Sequence, residues 1–193
     1  MVLKYERLEL QDGDFLDLAW TAREDGPIVV VLHGLEGSYR SHYIPGILET
    51  IHSHGWRGVL VHFRGCSGEH NRLSRAYHSG DTSDFAAVIR HIKICEPGVP
   101  LVALGYSMGG NVFLKWVGET GANNPLCAGI AVSPTFDLHL AAQELDKGFS
   151  RLYQWYLVKR LVNKIKMKSQ TASFPFDVEQ ITTLKTFRDF DDY

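Results

Sequence analysis

Leu101-Val102-Ala103-Leu104-Gly105-Tyr106-Ser107-Met108-Gly109-Gly110-Asn111 is the stretch that decides the fold. An apolar run long enough for a strand meets a G-x-S-x-G turn, and Gly110 opens an apolar helix. A turn sharp enough to lift a serine hydroxyl above a strand end forces strained dihedrals on Ser107. Side chains two residues to either side would then collide, which predicts glycine at both Gly105 and Gly109. The pentapeptide alone also fits an ordinary small-residue loop. Its strand, turn and helix setting makes it read as a nucleophile elbow.

Upstream, Pro27-Ile28-Val29-Val30-Val31-Leu32 is a β-branched run ending in His33-Gly34-Leu35-Glu36-Gly37-Ser38. A buried strand followed by a glycine-rich bend is where backbone amides gather to hold an oxyanion. The backbone of Leu35 is the functional candidate there. His33 itself reads as a strand-ending histidine satisfied by backbone hydrogen bonds.

The remaining pattern repeats this alternation. Strand-like runs at 4–10 and 14–20 bracket Asp12-Gly13 and predict an opening hairpin. Ile44, Leu48 and Ile51 recur at helical spacing, with Pro45 near the start and Gly55 past the end. Gly58 to Phe63 is the next strand. Phe85, Val88, Ile89 and Ile92 then form a helical stripe behind Asp81-Thr82-Ser83, any of which can cap it. After the strand at 101–106 the pattern predicts a helix at 110–120, with Val112, Phe113, Trp116 and Val117 on one side, and a strand from Leu126 to Val132. Strands alternating with amphipathic helices predict an α/β fold: a mostly parallel sheet covered on both faces, with the site at the carboxyl ends of the strands.

Composition excludes several classes. With 193 residues, 45% hydrophobic and 22% charged, the chain can bury a sizeable core and has no signature of disorder. A formal net charge of -2 gives no footprint for nucleic acid. The charged amino terminus and the lack of a long apolar run argue against a signal peptide or membrane span and point to a cytoplasmic protein. Cys66, Cys95 and Cys127 are odd in number and scattered, so neither a disulfide framework nor a zinc site is expected, and Cys66 reads as packing. Asn111 stands where a phosphate-binding loop needs lysine, and His52-Ser53-His54 places two imidazoles on different helix faces. No metal or cofactor is expected. Arg64-Gly65-Cys66-Ser67-Gly68 reads as a tight turn in a pocket wall, with anion recognition by Arg64 as the alternative.

Four blocks, His33 to Ser38, His62 to Glu69, Tyr77 to Thr82 and Gly105 to Asn111, together resemble the YheT-type branch of the α/β-hydrolase superfamily. The resemblance spans nearly the whole chain and includes Thr186 to Asp192, similar to a stretch that family carries before its last catalytic strands. It implies a serine hydrolase of carboxylic esters, such as short-chain acyl esters or acylglycerols. Ser107 matches the nucleophile, and the backbone amides of Leu35 and Met108 match the oxyanion donors.

The sequence departs from that family in one respect. Such enzymes run Ser, then Asp or Glu, then His. After Ser107 the single histidine here is His139, and Asp137 is the carboxylate nearest the strand at 126–132. A rearranged triad would use both, but His139 reads as a lid or surface histidine and Asp137 as a helix cap or turn residue. The resemblance places the acid and base beyond residue 193, so the chain is expected to be an amino-terminal portion that hydrolyses esters poorly on its own. Residues 1–135 are then a partial hydrolase core, and 136–193 a helical lid with an incomplete carboxyl-terminal part. The basic and aromatic segment 147–168 admits membrane-surface contact, yet its charges do not collect on one face, which favours a solvated lid. The strand at 126–132 is expected to present a bare edge open to self-association. Two other functions stay open: an acyltransferase using the same serine, and a non-catalytic module that binds a ligand or partner.

Overall fold

Leu3–Glu9 (β1) and Phe15–Thr21 (β2) pair antiparallel around a turn in which Gly13 takes φ 85° and the Leu10 amide donates to the Asp14 carbonyl at 2.8 Å. In the computed structural model, which describes residues 2–170, 173–174 and 176–192, this hairpin begins a six-stranded sheet. Ile28–Leu32 (β3), Arg57–Val61 (β4), Leu101–Tyr106 (β5) and Ala128–Val132 (β6) complete it in the order β1-β2-β4-β3-β5-β6. Four strands run parallel, and β2 meets β4 antiparallel. Helices Ile44–Ser53 (α1), Ser83–Cys95 (α2) and Met108–Thr120 (α3) connect the strands, giving the mostly parallel α/β sheet with an amino-terminal hairpin that the pattern predicts.

Strand periodicity sorts the core into two layers. Ile28, Val30 and Leu32 point to the face that packs Phe85, Val88, Ile89 and Ile92 of α2 and Val112, Phe113 and Trp116 of α3. Val29 and Val31 point the other way, onto Ile44, Leu48 and Ile51 of α1. Each such side chain, fully buried, stabilises by roughly 1.5–3 kcal/mol relative to exposure. Arg57 heads β4 and ties it to α2 through a paired guanidinium and the Glu96 carboxylate.

Several boundaries differ from the periodicity; the hairpin strands each shift by one residue. The strand expected from Gly58 to Phe63 runs from Arg57 to Val61, and beyond it the His62 amide still donates to the Asp17 carbonyl at 3.1 Å, in register with the Leu18–Val61 pair. The helix after Ser107 begins at Met108 rather than 110, since the sharp turn delivers the chain straight into helical geometry. The last strand begins at Ala128 rather than Leu126, whose amide is held by Asn124 Oδ1 in a turn. Among the described residues β6 pairs with β5 alone, and Ile130 is 57% exposed.

The chain divides into two compact units, Met1–Pro134 and Thr135–Tyr193. The second contains Leu138–Leu145 (α4), Ser150–Lys168 (α5), Val178–Ile181 (α6) and Phe187–Asp192 (α7). Its small core is Val158, Val162 and Ile181, with Phe176, Phe187 and Phe190 against it. Within the helical lid expected from residue 136 onward, the chain breaks between α4 and α5, where Gly148 takes φ 49°. Thr171, Ala172, Pro175 and Tyr193, inside the segment expected at 136–193, lie outside the described residues. Among the described residues no helix is long and apolar enough to cross a membrane.

Candidate active site

The turn after β5 has the strain its sequence demands. Ser107 sits at φ 50°, ψ -120°, a conformation rare for a residue with a side chain, and is exposed. Its amide donates to the Val132 carbonyl at 2.9 Å and its carbonyl accepts from the Asn111 amide at 3.1 Å, so both sides of the turn are tied down. A Cβ on Gly105 would lie 2.5 Å from the Gly109 carbonyl oxygen, the cross-turn collision expected. A Cβ on Gly109 meets something else: the carbonyl oxygens of His33 and Leu32, at 2.5 and 2.7 Å. The second glycine therefore lets the start of α3 press against the end of β3.

That contact brings the β3 loop to the serine. Leu32 stands opposite Gly105 in the ladder, and a Cβ on Gly34 would sit 3.4 Å from Ser107 Cβ. The Gly34 amide donates to Tyr43 Oη at 3.0 Å and the Glu36 amide to Tyr77 Oη at 2.9 Å, while Tyr77 Oη donates to Glu36 Oε1 at 2.6 Å. Glu36 holds a positive φ of 53°. Among the described residues the amide between them, Leu35, and the amide of Met108 at the first turn of α3 meet no acceptor. A helix start also carries partial positive charge, which favours an anion at Met108.

His33 is wholly buried. Its Nδ1 lies 2.7 Å from the Gly34 carbonyl oxygen and its Nε2 accepts from the Phe63 amide at 3.2 Å. A carbonyl only accepts and an amide only donates, so the ring is a neutral Nδ1–H tautomer serving as a strut. His62, held by the Asp17 carbonyl and the Tyr39 amide, has its pKa pushed down by burial and is likewise a neutral strut.

Arg64 sits in a tight turn as expected, with the Cys66 amide donating to the Phe63 carbonyl at 2.9 Å and Gly65 at φ 67°, but its side chain goes against the alternative of anion recognition. Its guanidinium is 1% exposed and grips Asp84 at 2.7 and 2.8 Å, Asp14 at 2.9 Å and Asp12 at 2.8 Å. These pairs tie the end of the hairpin turn to the start of α2 and commit the buried guanidinium to three carboxylates of the chain itself rather than to an incoming anion. Burial opposes charge on Asp14, yet hydrogen bonds from Asn71, the Arg72 and Phe15 amides and the Arg64 charge hold its carboxyl below the usual range. Cys66 is buried in the core.

The two late candidates lie in the second unit. Asp137 caps α4, its carboxylate accepting from the Leu140 amide at 2.9 Å. His139 on α4 has Nδ1 3.1 Å from Arg188 Nη2 and Nε2 2.8 Å from the Gln143 amide. Among the described residues no histidine is hydrogen-bonded to Ser107 and no group of three or more His, Cys, Asp or Glu is placed to hold a metal. Sequence reasoning missed Tyr43 and Tyr77, the residues that fix the β3 loop. Tyr77 heads one of the four blocks, which was the available signal.

A mixed sheet with a strained serine turn after β5 and a glycine-rich loop after β3 defines a class, and the family profile described as the alpha/beta hydrolase fold matches residues 27–179. The chain belongs to that family. It is 41% identical over 194 residues to the Escherichia coli (strain K12) protein named "Putative esterase YheT", covering 97% of this chain and 57% of that one. A mouse protein (Mus musculus) named "Phospholipase ABHD3" is 28% identical, covering 96% of this chain and 48% of its own length. The chain thus spans about half the length of the curated relatives it matches. The esterase Pf2001 of Pyrococcus furiosus superposes with a TM-score of 0.64 at 22% identity, over 95% of this chain and 67% of that one, a likeness of fold.

Proposed function

We propose that Ser107 is the nucleophile of a hydrolase acting on carboxylic esters. The observation that carries this is the exposed serine at positive φ, beside two backbone amides, Leu35 and Met108, that have no acceptor within the chain's described residues. A serine hydroxyl attacks an acyl carbon only when a base removes its proton. The resulting tetrahedral oxygen takes hydrogen bonds from Leu35 and Met108, and one such donor is worth about 2.7–4 kcal/mol in comparable sites. The names carried by the relatives, an esterase and a phospholipase, support an ester as the substrate class.

The base and its carboxylate belong, in this reading, to the part of the longer relatives that this chain does not span. His139 has both ring nitrogens engaged by Gln143 and Arg188, and Asp137 is occupied as a cap. The test uses a protein extended to the full length of its relatives, treated with a fluorophosphonate probe. Labelling at Ser107, lost together with ester turnover in Ser107→Ala, is the expected result. Turnover that survives Ser107→Ala would refute the assignment. In the 193-residue chain turnover is expected to be weak, and enzymatic rates abolished by His139→Ala would make His139 the base.

A further inference from the structure

Helix α5 changes character along its axis. Gln154, Leu157, Val158 and Val162 are buried, and the two valines pack in the small core of the second unit. The opposite side, at about 100° per residue, begins with Phe149 at the helix cap and continues through Leu152, Tyr153 and Tyr156, all exposed. These side chains cover about 10 Å of the axis. Beyond them the helix turns basic, with Lys159, Arg160, Lys164 and Lys166. The charges do not gather on one side of the helix, as the sequence suggests; the segregation runs along it, rings first and cations after. Between Lys147 and Asp177 the sequence has no acid. In the first unit Arg7, Arg23, Arg57, Arg64, Arg72 and Arg75 each hold a carboxylate of the chain. On α5 the cations lie over rings instead: Lys159 Nζ is 4.9 Å from the Trp155 centroid and the Arg160 guanidinium 5.6 Å from that of Tyr156. Among the described residues neither Lys159 nor Lys166 is ion-paired with a carboxylate.

We propose that α5 is a membrane-surface helix that seats its aromatic start in the interface of a bilayer rich in anionic lipid. A cluster of exposed apolar side chains rimmed by polar ones marks a contact surface, whereas single ones do not. The aromatic stretch is about as long as the depth, about 5–10 Å, to which interfacial helices sink. Tryptophan and tyrosine favour the headgroup level, where the ring is in apolar surroundings and the polar tip stays wet. Lysine and arginine lay their stems along apolar surface and keep their charged heads at the phosphates. An apolar protein groove would account for the rings alone. Rings followed by cations, with no acid in the segment, reproduce the layering of a bilayer surface, hydrocarbon and then phosphate. The inference concerns the second unit alone and does not rest on any role for Ser107.

The 193-residue chain is floated with vesicles of phosphatidylglycerol and phosphatidylcholine in equal parts, and with vesicles of phosphatidylcholine alone. Binding is expected to the anionic vesicles and should weaken as salt rises. Lys159→Gln and Lys166→Gln should each weaken it about fivefold. The double variant Phe149→Ser, Leu152→Ser, at two exposed positions that the fold does not need, should weaken it about tenfold or more. Brominated phosphatidylcholine in the anionic vesicles should quench tryptophan emission, and the quenching should vanish in Trp155→Phe, since Trp20, Trp56 and Trp116 lie in the first unit. Equal binding to both kinds of vesicle, or binding unchanged in both the Lys159→Gln and the double variant, would overturn the proposal. A lipid-free dimer in light scattering that the double variant dissociates would make a second copy the occupant and overturn it too. So would binding that disappears when the chain is extended to the full length of its relatives, because the face would then be covered by the added part.

Discussion

In Met1–Pro134 buried polar side chains set the backbone, whereas in Thr135–Tyr193 they mostly finish helix ends and surfaces. His33, His62, Arg64 and Tyr77 of the first unit each bridge segments far apart in sequence, and the first three are buried. In the second, Asp137 and Asp177 cap short helices and His139 bonds to α4 and α7, while Phe149 is 87% and Trp155 56% exposed. Gln154, buried and bonded to Asp146 and the Phe187 amide, resembles the first unit instead. A single side chain therefore carries different weight in the two units: losing a bridge misplaces several segments, losing a cap loosens one.

The sharpest way to break this contrast is Arg64→Met. Three carboxylates lose their shared partner, and breaking a buried pair costs about 3–5 kcal/mol. Urea unfolding of the first unit should show it; a loss under about 1 kcal/mol would mean that the cluster is not a bridge. Acid tests the same cluster. The carboxyls of Asp14 and Asp81 are opposed by burial but held below their usual range by hydrogen bonds and neighbouring arginines. A depressed folded-state pKa gives stability that is present above the unfolded value, near pH 4, and is lost as pH falls through the folded value. Midpoints measured from pH 6 downward should hold and then fall, and fall less in a variant lacking the Asp14 carboxylate.

Next in size is Gly109→Ala, whose Cβ would meet two backbone oxygens of the β3 end. Overpacking of this kind costs about 1–3 kcal/mol. Unlike a surface glycine replacement, it should also reduce fluorophosphonate labelling of Ser107 in the extended protein. Tyr77→Phe comes third. It leaves the Glu36 amide and carboxylate without that hydroxyl, for about 1 kcal/mol, and should lower kcat more than it raises KM if the loop positions Leu35. The smallest effect is Asp137→Ala, about 0.5–1 kcal/mol for a lost cap. Hydrogen exchange should quicken in α4 alone; faster exchange in β3 or β5 would contradict a local role.

Legibility followed the same division. Local patterns disclosed the strands, the three helices between them and the serine turn, because periodicity and glycine spacing act over a few residues. Leu35 was marked by its loop, but Tyr43 and Tyr77 were not, since a hydroxyl that reaches 41 residues back to Glu36 leaves no periodic trace. The tight turn at Arg64 was legible, but the partners of its side chain were not, because they come from the hairpin turn and from α2. The break at Gly148 was missed because one glycine inside a helical pattern does not declare whether it will be tolerated.

The hydrogen bond from the Ser107 amide to the Val132 carbonyl fixes an order of assembly. A ribosome delivers the serine before the strand that anchors it. Until β6 has joined the ladder beside β5, the turn lacks its tether and must carry its backbone strain unaided. The proposed nucleophile is thus set by its own pentapeptide together with the neighbouring strand β6, so the growing chain reaches chemical readiness later than it reaches the residue that does the chemistry.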